Sequence, residues 1–181
     1  EHTLVILQIE RKRAIDNIKY PLRLAGKSAA ECDARAEELV ASFDIRFDLR
    51  RYPHELSGGQ QQRVSIMRAL APHPEVLFLD EPFSALDYEM TLFMRDKLQD
   101  IFEATKTTMI LVSHDLEEAV YLGDRVYIFS SAPGTILREM QVPKPHRPPK
   151  EMQREPEFLA KVFEIRDLVE NLASSTRAGD D

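Results

Sequence analysis

Leu56-Ser57-Gly58-Gly59-Gln60-Gln61-Gln62-Arg63 and, further along, Val76-Leu77-Phe78-Leu79-Asp80-Glu81-Pro82 are the stretches from which the fold can be read. In the first, a serine at an N-cap precedes two glycines at a helix start. Several backbone N–H groups are left exposed there, and with the helix dipole they make a ready anion site. Gly58 and Gly59 let a phosphate come close with no side chain in the way. Taken alone, Ser-Gly-Gly favours the reading of a flexible loop capping an ordinary helix. In the second stretch, a continuous apolar run after a turn reads as a strand buried on both faces, as in a parallel sheet. It delivers Asp80 and Glu81 to its C-terminal edge, where open α/β sheets bind ligands. One carboxylate there can hold a Mg²⁺ bound to nucleotide phosphates, and the next can polarise a water. As neighbours on a strand, the two side chains would point in opposite directions. Two surface acids at a strand end are the plain alternative.

Working outward, Val64, Met67 and Leu70 continue a helix that stops before Pro72, since proline cannot extend the ladder. On the N-terminal side, Ser28 and Glu31 form a capping-box pattern opening an Ala- and Glu-rich helix to about Phe43. Residues 9–27 read as irregular, with a basic cluster at Arg11, Lys12 and Arg13 and a breaker at Pro21. Leu4–Leu7 reads as a short buried strand ending at Gln8, with a helix as the alternative at this length. On the C-terminal side, a helix over roughly 88–104 turns Phe93, Met94, Leu98, Ile101 and Phe102 inward. The strand Thr108–Val112 leads into Ser113-His114-Asp115, and Asp115 and Glu118 cap a short helix ending near Gly123. Arg125–Ser130 and Thr135–Val142 read as two strands joined by a turn at Ala132-Pro133-Gly134. Residues 143–150 read as a Pro-rich linker, and 155–173 as a last amphipathic helix with Phe158, Leu159, Val162, Phe163, Ile165, Val169 and Leu172. The tail from Ser174 is polar and is expected to fray. Alternating strands and helices argue an α/β layered domain with a largely parallel sheet.

Composition sets the bounds. The 181 residues carry a net charge of −7, which argues against nucleic acid as the main partner. Apolar runs fall far short of the roughly 20 residues that span a bilayer. Cys32 is the one cysteine, so no internal disulfide framework exists, and its place within a helix reads as packing. The five histidines show no metal-ligand spacing with it.

Read together and in order, these segments resemble a known family. Leu56–Arg63 looks like the signature motif of ATP-binding cassette (ABC) ATPases. Val76–Pro82 resembles their Walker B strand, Ser84–Asp87 their D-loop and Ser113–Asp115 their H-loop. The match spans roughly residues 4–142. Asp16-Asn17-Ile18, Glu117-Glu118-Ala119-Val120 and Ser131–Ile136 give it the flavour of importer subunits for nitrate, sulfonate, taurine or bicarbonate. The resemblance implies a partial P-loop-type ABC ATPase domain over 1–142, with a helical subdomain at about 18–72. A linker at 143–150 and a C-terminal helix and tail at 151–181 complete the expected organisation. It implies ATP and Mg²⁺ as cofactors, with Asp80 on the metal, Glu81 activating water and His114 sensing the γ-phosphate. Ser57, Gly58, Gly59 and Gln60 would meet the ATP of an opposing copy, and Asp87 would couple the two sites. Gln8 matches the Q-loop glutamine, which contacts Mg²⁺ and the permease, although the stretch from Gln8 to Asn17 is shorter than the family pattern. Implied partners are a second nucleotide-binding subunit in a homodimer or heterodimer, an integral membrane permease and, indirectly, a periplasmic or extracellular substrate-binding protein. The implied location is the cytoplasmic face of the membrane.

No Walker A motif is present. Gly26-Lys27-Ser28 imitates its end, but Pro21 stands where the first glycine of G-x-x-x-x-G-K-[ST] belongs. It reads as the turn before a peripheral helix, and the family's Walker A is expected upstream of Glu1. The chain is therefore expected to be inactive alone. Two other readings stand beside the importer: a non-transport ABC ATPase of repair or translation, and a non-enzymatic partner lending only its signature helix. No sustained heptads and only one signature speak against the first. The presence of both Glu81 and His114 speaks against the second.

Overall fold

The structure is a computed structural model that describes residues 11–130, 134–142 and 149–177. Leu4–Leu7 and Gln8, most of the Ala132-Pro133-Gly134 turn and most of the Pro-rich stretch lie outside the described residues. The chain divides into two compact units, Glu1–Val112 and Ser113–Asp181.

In the first unit, α1 (Ala14–Leu24), α2 (Ala29–Ser42) and α3 (Gly58–Leu70) form a helical layer in which α1 packs on both others. Residues 14–24 were expected to be irregular, yet they are helical with Pro21 inside. Pro21 costs one hydrogen bond and about 3 kcal/mol in a helix interior. Against that, Ala14, Ile18 and Leu22 recur at four-residue spacing and are fully or almost fully buried. Burying each large apolar side chain contributes about 1.5–3 kcal/mol, so the apolar face wins. Asn17 is buried among them and donates to the carbonyls of Lys12 and Arg13, at 3.0 and 3.2 Å. Helix α2 opens as its sequence predicts: the Ser28 side chain accepts from Glu31 N while the Glu31 carboxylate accepts from Ser28 N. Gly26-Lys27-Ser28 thus follows a helix, not a strand, and closes one helix before the next begins.

A single 3-10 turn, Pro53–Glu55, leads into α3. After α3, β1 (Val76–Asp80) pairs in parallel with β2 (Thr108–Val112), in the register Val76↔Thr108 to Asp80↔Val112. The crossover is α4 (Tyr88–Thr105), whose buried residues are Leu92, Met94, Arg95, Leu98 and Gln99. Phe93, Ile101 and Phe102, expected inward, are only half-buried.

The expectation of a strand buried on both faces is corrected. Leu77 and Leu79 are buried, but Phe78 is 43% and Val112 57% exposed, with Ile110 similar. The two-strand sheet is covered on one face only among the described residues. A continuous apolar run reports a strand's capacity to be covered twice, not that this chain supplies both covers.

In the second unit, α5 (Leu116–Leu122) precedes an antiparallel hairpin of β3 (Arg125–Phe129) and β4 (Ile136–Gln141). A short helix α6 (Pro149–Met152) occupies the end of the expected linker, and α7 (Pro156–Arg177) follows. Val120 and Tyr121 of α5, Met140 of β4, Val142 just after it, Met152, and Phe158, Val162 and Ile165 of α7 make one apolar cluster. Leu159, Phe163 and Val169, expected in that face, are exposed. Ser174–Arg177, expected to fray, continue the helix.

Candidate functional site

Ser57 caps α3 with backbone angles of −63° and 159°. Its hydroxyl accepts from Gln60 N at 3.3 Å, and Ser57 N donates to the Gln60 side-chain oxygen at 3.0 Å. This reciprocal pair is a capping box. It uses the Gln60 amide hydrogen and leaves those of Gly58 and Gly59 with no acceptor among the described residues, at the positive end of a 13-residue helix. Ser57 and Gly58 are exposed; Gly59 and Gln60 are half-buried.

The glycines have a second role that sequence reading missed. A Cβ on Gly59 would lie 3.1 Å from the Ala85 carbonyl oxygen and 3.1 Å from Leu86 Cδ2. One on Gly58 would meet the Ala85 Cβ at an ordinary 3.5 Å. The Ser84–Asp87 segment therefore sits directly against the opening of α3. A side chain at Gly59 would require that segment to give by a few tenths of an ångström. One helical turn on, Arg63 lies on the same face as Gly59. Its guanidinium stacks over the Phe47 ring, 5.1 Å from the centroid. Burial pushes its pKa down from the ordinary value, while the fields of Asp87 and Asp44 oppose that shift. The signal available in sequence was Arg63's i+4 relation to Gly59, but its acidic neighbours arrive only through the fold.

Asp80 ends β1, exposed, across from Val112. Glu81 is not on the strand. Its φ is +46°, in the left-handed region, so alternation along a strand does not govern how the two carboxylates diverge. The turn is held by Glu81 N donating to Val112 O at 2.9 Å, and by Ser84 N and Oγ donating to Glu81 O at 3.3 and 3.0 Å. Asp87 caps α4, its carboxylate accepting from Met90 N at 2.9 Å.

The first unit thus brings Ser57, Gly58, Gly59 and Asp87 to one place, through the packing of the two turns, and sets Asp80 and Glu81 at the end of β1, just before the second of those turns. His114 belongs to the second unit and is described with it. It is exposed, between Ser113 and Asp115. Ser113 Oγ donates to Glu118 Oε2 at 2.5 Å and accepts from Asp115 N at 3.0 Å. Asp115 Oδ1 in turn accepts from Glu117 N and Glu118 N, at 2.8 and 3.3 Å. Gln8 lies outside the described residues.

No group of three or more His, Cys, Asp or Glu residues is placed to hold a metal among the described residues. Asp80, as a lone exposed carboxylate, fits a Mg²⁺ held mostly by phosphates and water, the arrangement that this ion favours.

Residues 5–84 match the family model described as "ABC transporter". The nitrate import ATP-binding protein NrtD of Synechocystis sp. is 42% identical over 160 residues, 84% of this chain and 60% of that protein. The aliphatic sulfonates import ATP-binding protein SsuB of Bacillus subtilis is 42% identical over 75% of this chain and 50% of its own length. The dimeric post-hydrolysis structure of the ATP-binding cassette MJ0796 bound to ADP and Pi aligns with a TM-score of 0.68 at 30% identity, over 77% of this chain and 62% of that one. The fold is that of the ABC ATPase cassettes. The chain spans about half to three-fifths of the length of these curated relatives.

Proposed function

We propose that this chain, which carries an ABC transporter domain, is the signature- and Walker B-bearing part of the ATP-binding subunit of an ABC importer. The single observation that carries the reading is the docking of the capped Gly58-Gly59 turn against the Ala85–Leu86 segment, just beyond the Asp80-Glu81 strand end. In that arrangement the N–H groups at the start of α3 face an anion, and the carboxylates lie at the sheet edge where ligands bind. The ligand is ATP. Two subunits, identical or not, sandwich it, with the Ser57–Gln60 turn of one meeting the γ-phosphate held by the other. Asp80 would hold a Mg²⁺ ion, which when bound screens the phosphate charge. Glu81 orients the attacking water and takes its proton. His114 contacts the γ-phosphate, and Asp87 lies where the subunits meet. Hydrolysis of the β–γ bond drives a membrane permease from the cytoplasmic face, fed by a periplasmic or extracellular binding protein. The cargo is a small anion such as nitrate or an alkyl sulfonate, a reading supported by the similarity to the nitrate and sulfonate import proteins. No described helix is long and apolar enough to cross a membrane.

The test uses the full-length subunit. Glu81→Gln keeps the shape and removes the base. Turnover should fall by about 10²–10⁴ while ATP still binds and a closed dimer accumulates. Asp80→Asn should instead weaken Mg²⁺-ATP binding itself. Equal loss of binding in both variants would defeat this division of labour.

A further inference from the structure

We infer that Glu118 is the positioning residue for His114, acting through the Ser113 hydroxyl; this rests on the proposed role of His114 above. Glu118 is 6% exposed, an uncommon place for a carboxylate, and it sits on the first turn of α5. Ser113 donates to it across 2.5 Å, within the range of a charge-assisted hydroxyl–carboxylate bond. The same hydroxyl oxygen accepts from Asp115 N. The residues on both sides of His114 are thus tied to one oxygen, and that oxygen is tied to a buried acid. Asp115 Oδ1 closes the loop on the backbone of Glu117 and Glu118.

The acid itself is anchored. On the same helix, Val120 and Tyr121 are buried against Met152, Phe158, Val162 and Ile165. Gln153 Nε2 donates to Glu117 Oε2 at 2.8 Å, joining the segment after α6 to the residue beside Glu118. His114 is exposed, on a turn with no regular structure. The Ser113–Glu118 bond ties that turn to a helix packed into the core. Capping alone does not need it, because Asp115 already caps α5.

The experiment uses the full-length subunit assembled with its permease and compares Glu118→Ala, Glu118→Gln, Ser113→Ala, the Glu118→Ala/Ser113→Ala double variant, and Val120→Ala. The last removes core packing without touching the turn. A misplacement of about 1 Å at a reacting group can cost 10²-fold, so Glu118→Ala should lower kcat about ten- to a hundredfold, with the ATP dissociation constant unchanged. Ser113→Ala should match it, and the double variant should lose no more than either, since both break one link. Glu118→Gln keeps an oxygen to accept the hydroxyl and should recover most of the rate. The His114 ring signal in ¹H–¹³C NMR should move in Glu118→Ala and stay in place in Val120→Ala, which should lower the melting temperature but not kcat. The inference is overturned if Glu118→Ala keeps the wild-type rate, if its rate falls only as far as that of Val120→Ala, or if Gln fails to restore it. An active His114→Ala variant would remove the premise. An inactive His114→Ala beside a fully active Glu118→Ala would leave the premise standing and sink this inference alone.

Discussion

Replacing Gly59 and Gly58 by alanine, one at a time, separates what the two glycines do. In the first turn of a helix, Gly→Ala lowers the entropy of the unfolded chain and gains about 0.4–1 kcal/mol where the site has room. Gly58 has room, since its new methyl would stand at ordinary contact distance from the Ala85 Cβ. Gly59 does not. Its methyl would press, at 3.1 Å, on both a backbone carbonyl and a leucine methyl. The carbonyl belongs to the turn between Glu81 and the Asp87 cap, which the Ser84–Glu81 bonds hold in place. Overpacking a filled site costs about 1–3 kcal/mol. Set against the entropy gain, Gly59→Ala should destabilise by about 0–2 kcal/mol, and Gly58→Ala should stabilise by up to about 1 kcal/mol. The difference between the two, about 1–3 kcal/mol, is the quantity to measure. Urea unfolding of the full-length subunit gives it, with equal slopes showing that the unfolded states are comparable. A Gly59→Ala protein as stable as Gly58→Ala would show that the Ala85–Leu86 turn yields freely, and that the close approach does not link the two motifs.

Three other outcomes follow from the same geometry. Ser57→Ala should cost about 0.5–2 kcal/mol, the loss of an N-cap, in the same unfolding assay, and Ser57→Asp should restore most of it. Glu31, held by Ser28 and Lys27, has its carboxyl pKa lowered from 4.5 to about 2. A depressed carboxylate contributes stability that is complete above 4.5 and is lost as the pH falls toward 2, so the melting temperature of the wild type should drop faster across that window than that of Glu31→Gln. Glu81→Gly should raise stability by about 1 kcal/mol by relieving the left-handed backbone, while abolishing turnover; a less stable variant would mean that the φ of +46° carries little strain.

Much of the chain was legible because its signals are local. The Ser28–Glu31 capping box, the Ser57 N-cap and the Asp115 cap each depend on residues within a few positions of one another, and the structure holds them where their spacing predicts. The failures share a different cause. Pro21 reads as a breaker because propensity is local, but the stripe Ala14–Ile18–Leu22 buries against α2 and α3, and tertiary packing outweighs one lost hydrogen bond. The exposed side of β1 and β2 was missed because apolar content says nothing of which neighbour is present. The site was legible as residue types and order. Its geometry was not, because Gly59 needs Ala85 and Arg63 needs Phe47 and Asp87, partners whose nearness only the fold creates.

Glu81 shows why that distinction matters for function. In sequence it is the second acid after an apolar strand, and strand periodicity assigns it the face opposite Asp80. The backbone instead leaves the strand at that residue, in a conformation that costs a non-glycine side chain of order 1–3 kcal/mol. Nothing in the local sequence asks for this, since glycine or asparagine would occupy the position more cheaply. Three hydrogen bonds on its main chain hold the turn: one to the carbonyl of Val112, the residue that faces Asp80, and two from Ser84. The acid is thereby fixed relative to the strand end on one side and to the Ala85–Asp87 segment on the other, and that segment in turn rests on Gly58 and Gly59. A carboxylate meant only to solubilise a strand end needs none of this. One that must keep a water in line with a phosphate, and must feel the position of the signature turn, needs a backbone that cannot slide along the strand. The strain at Glu81 is the local cost of that fixity, and it falls on the residue proposed to activate water.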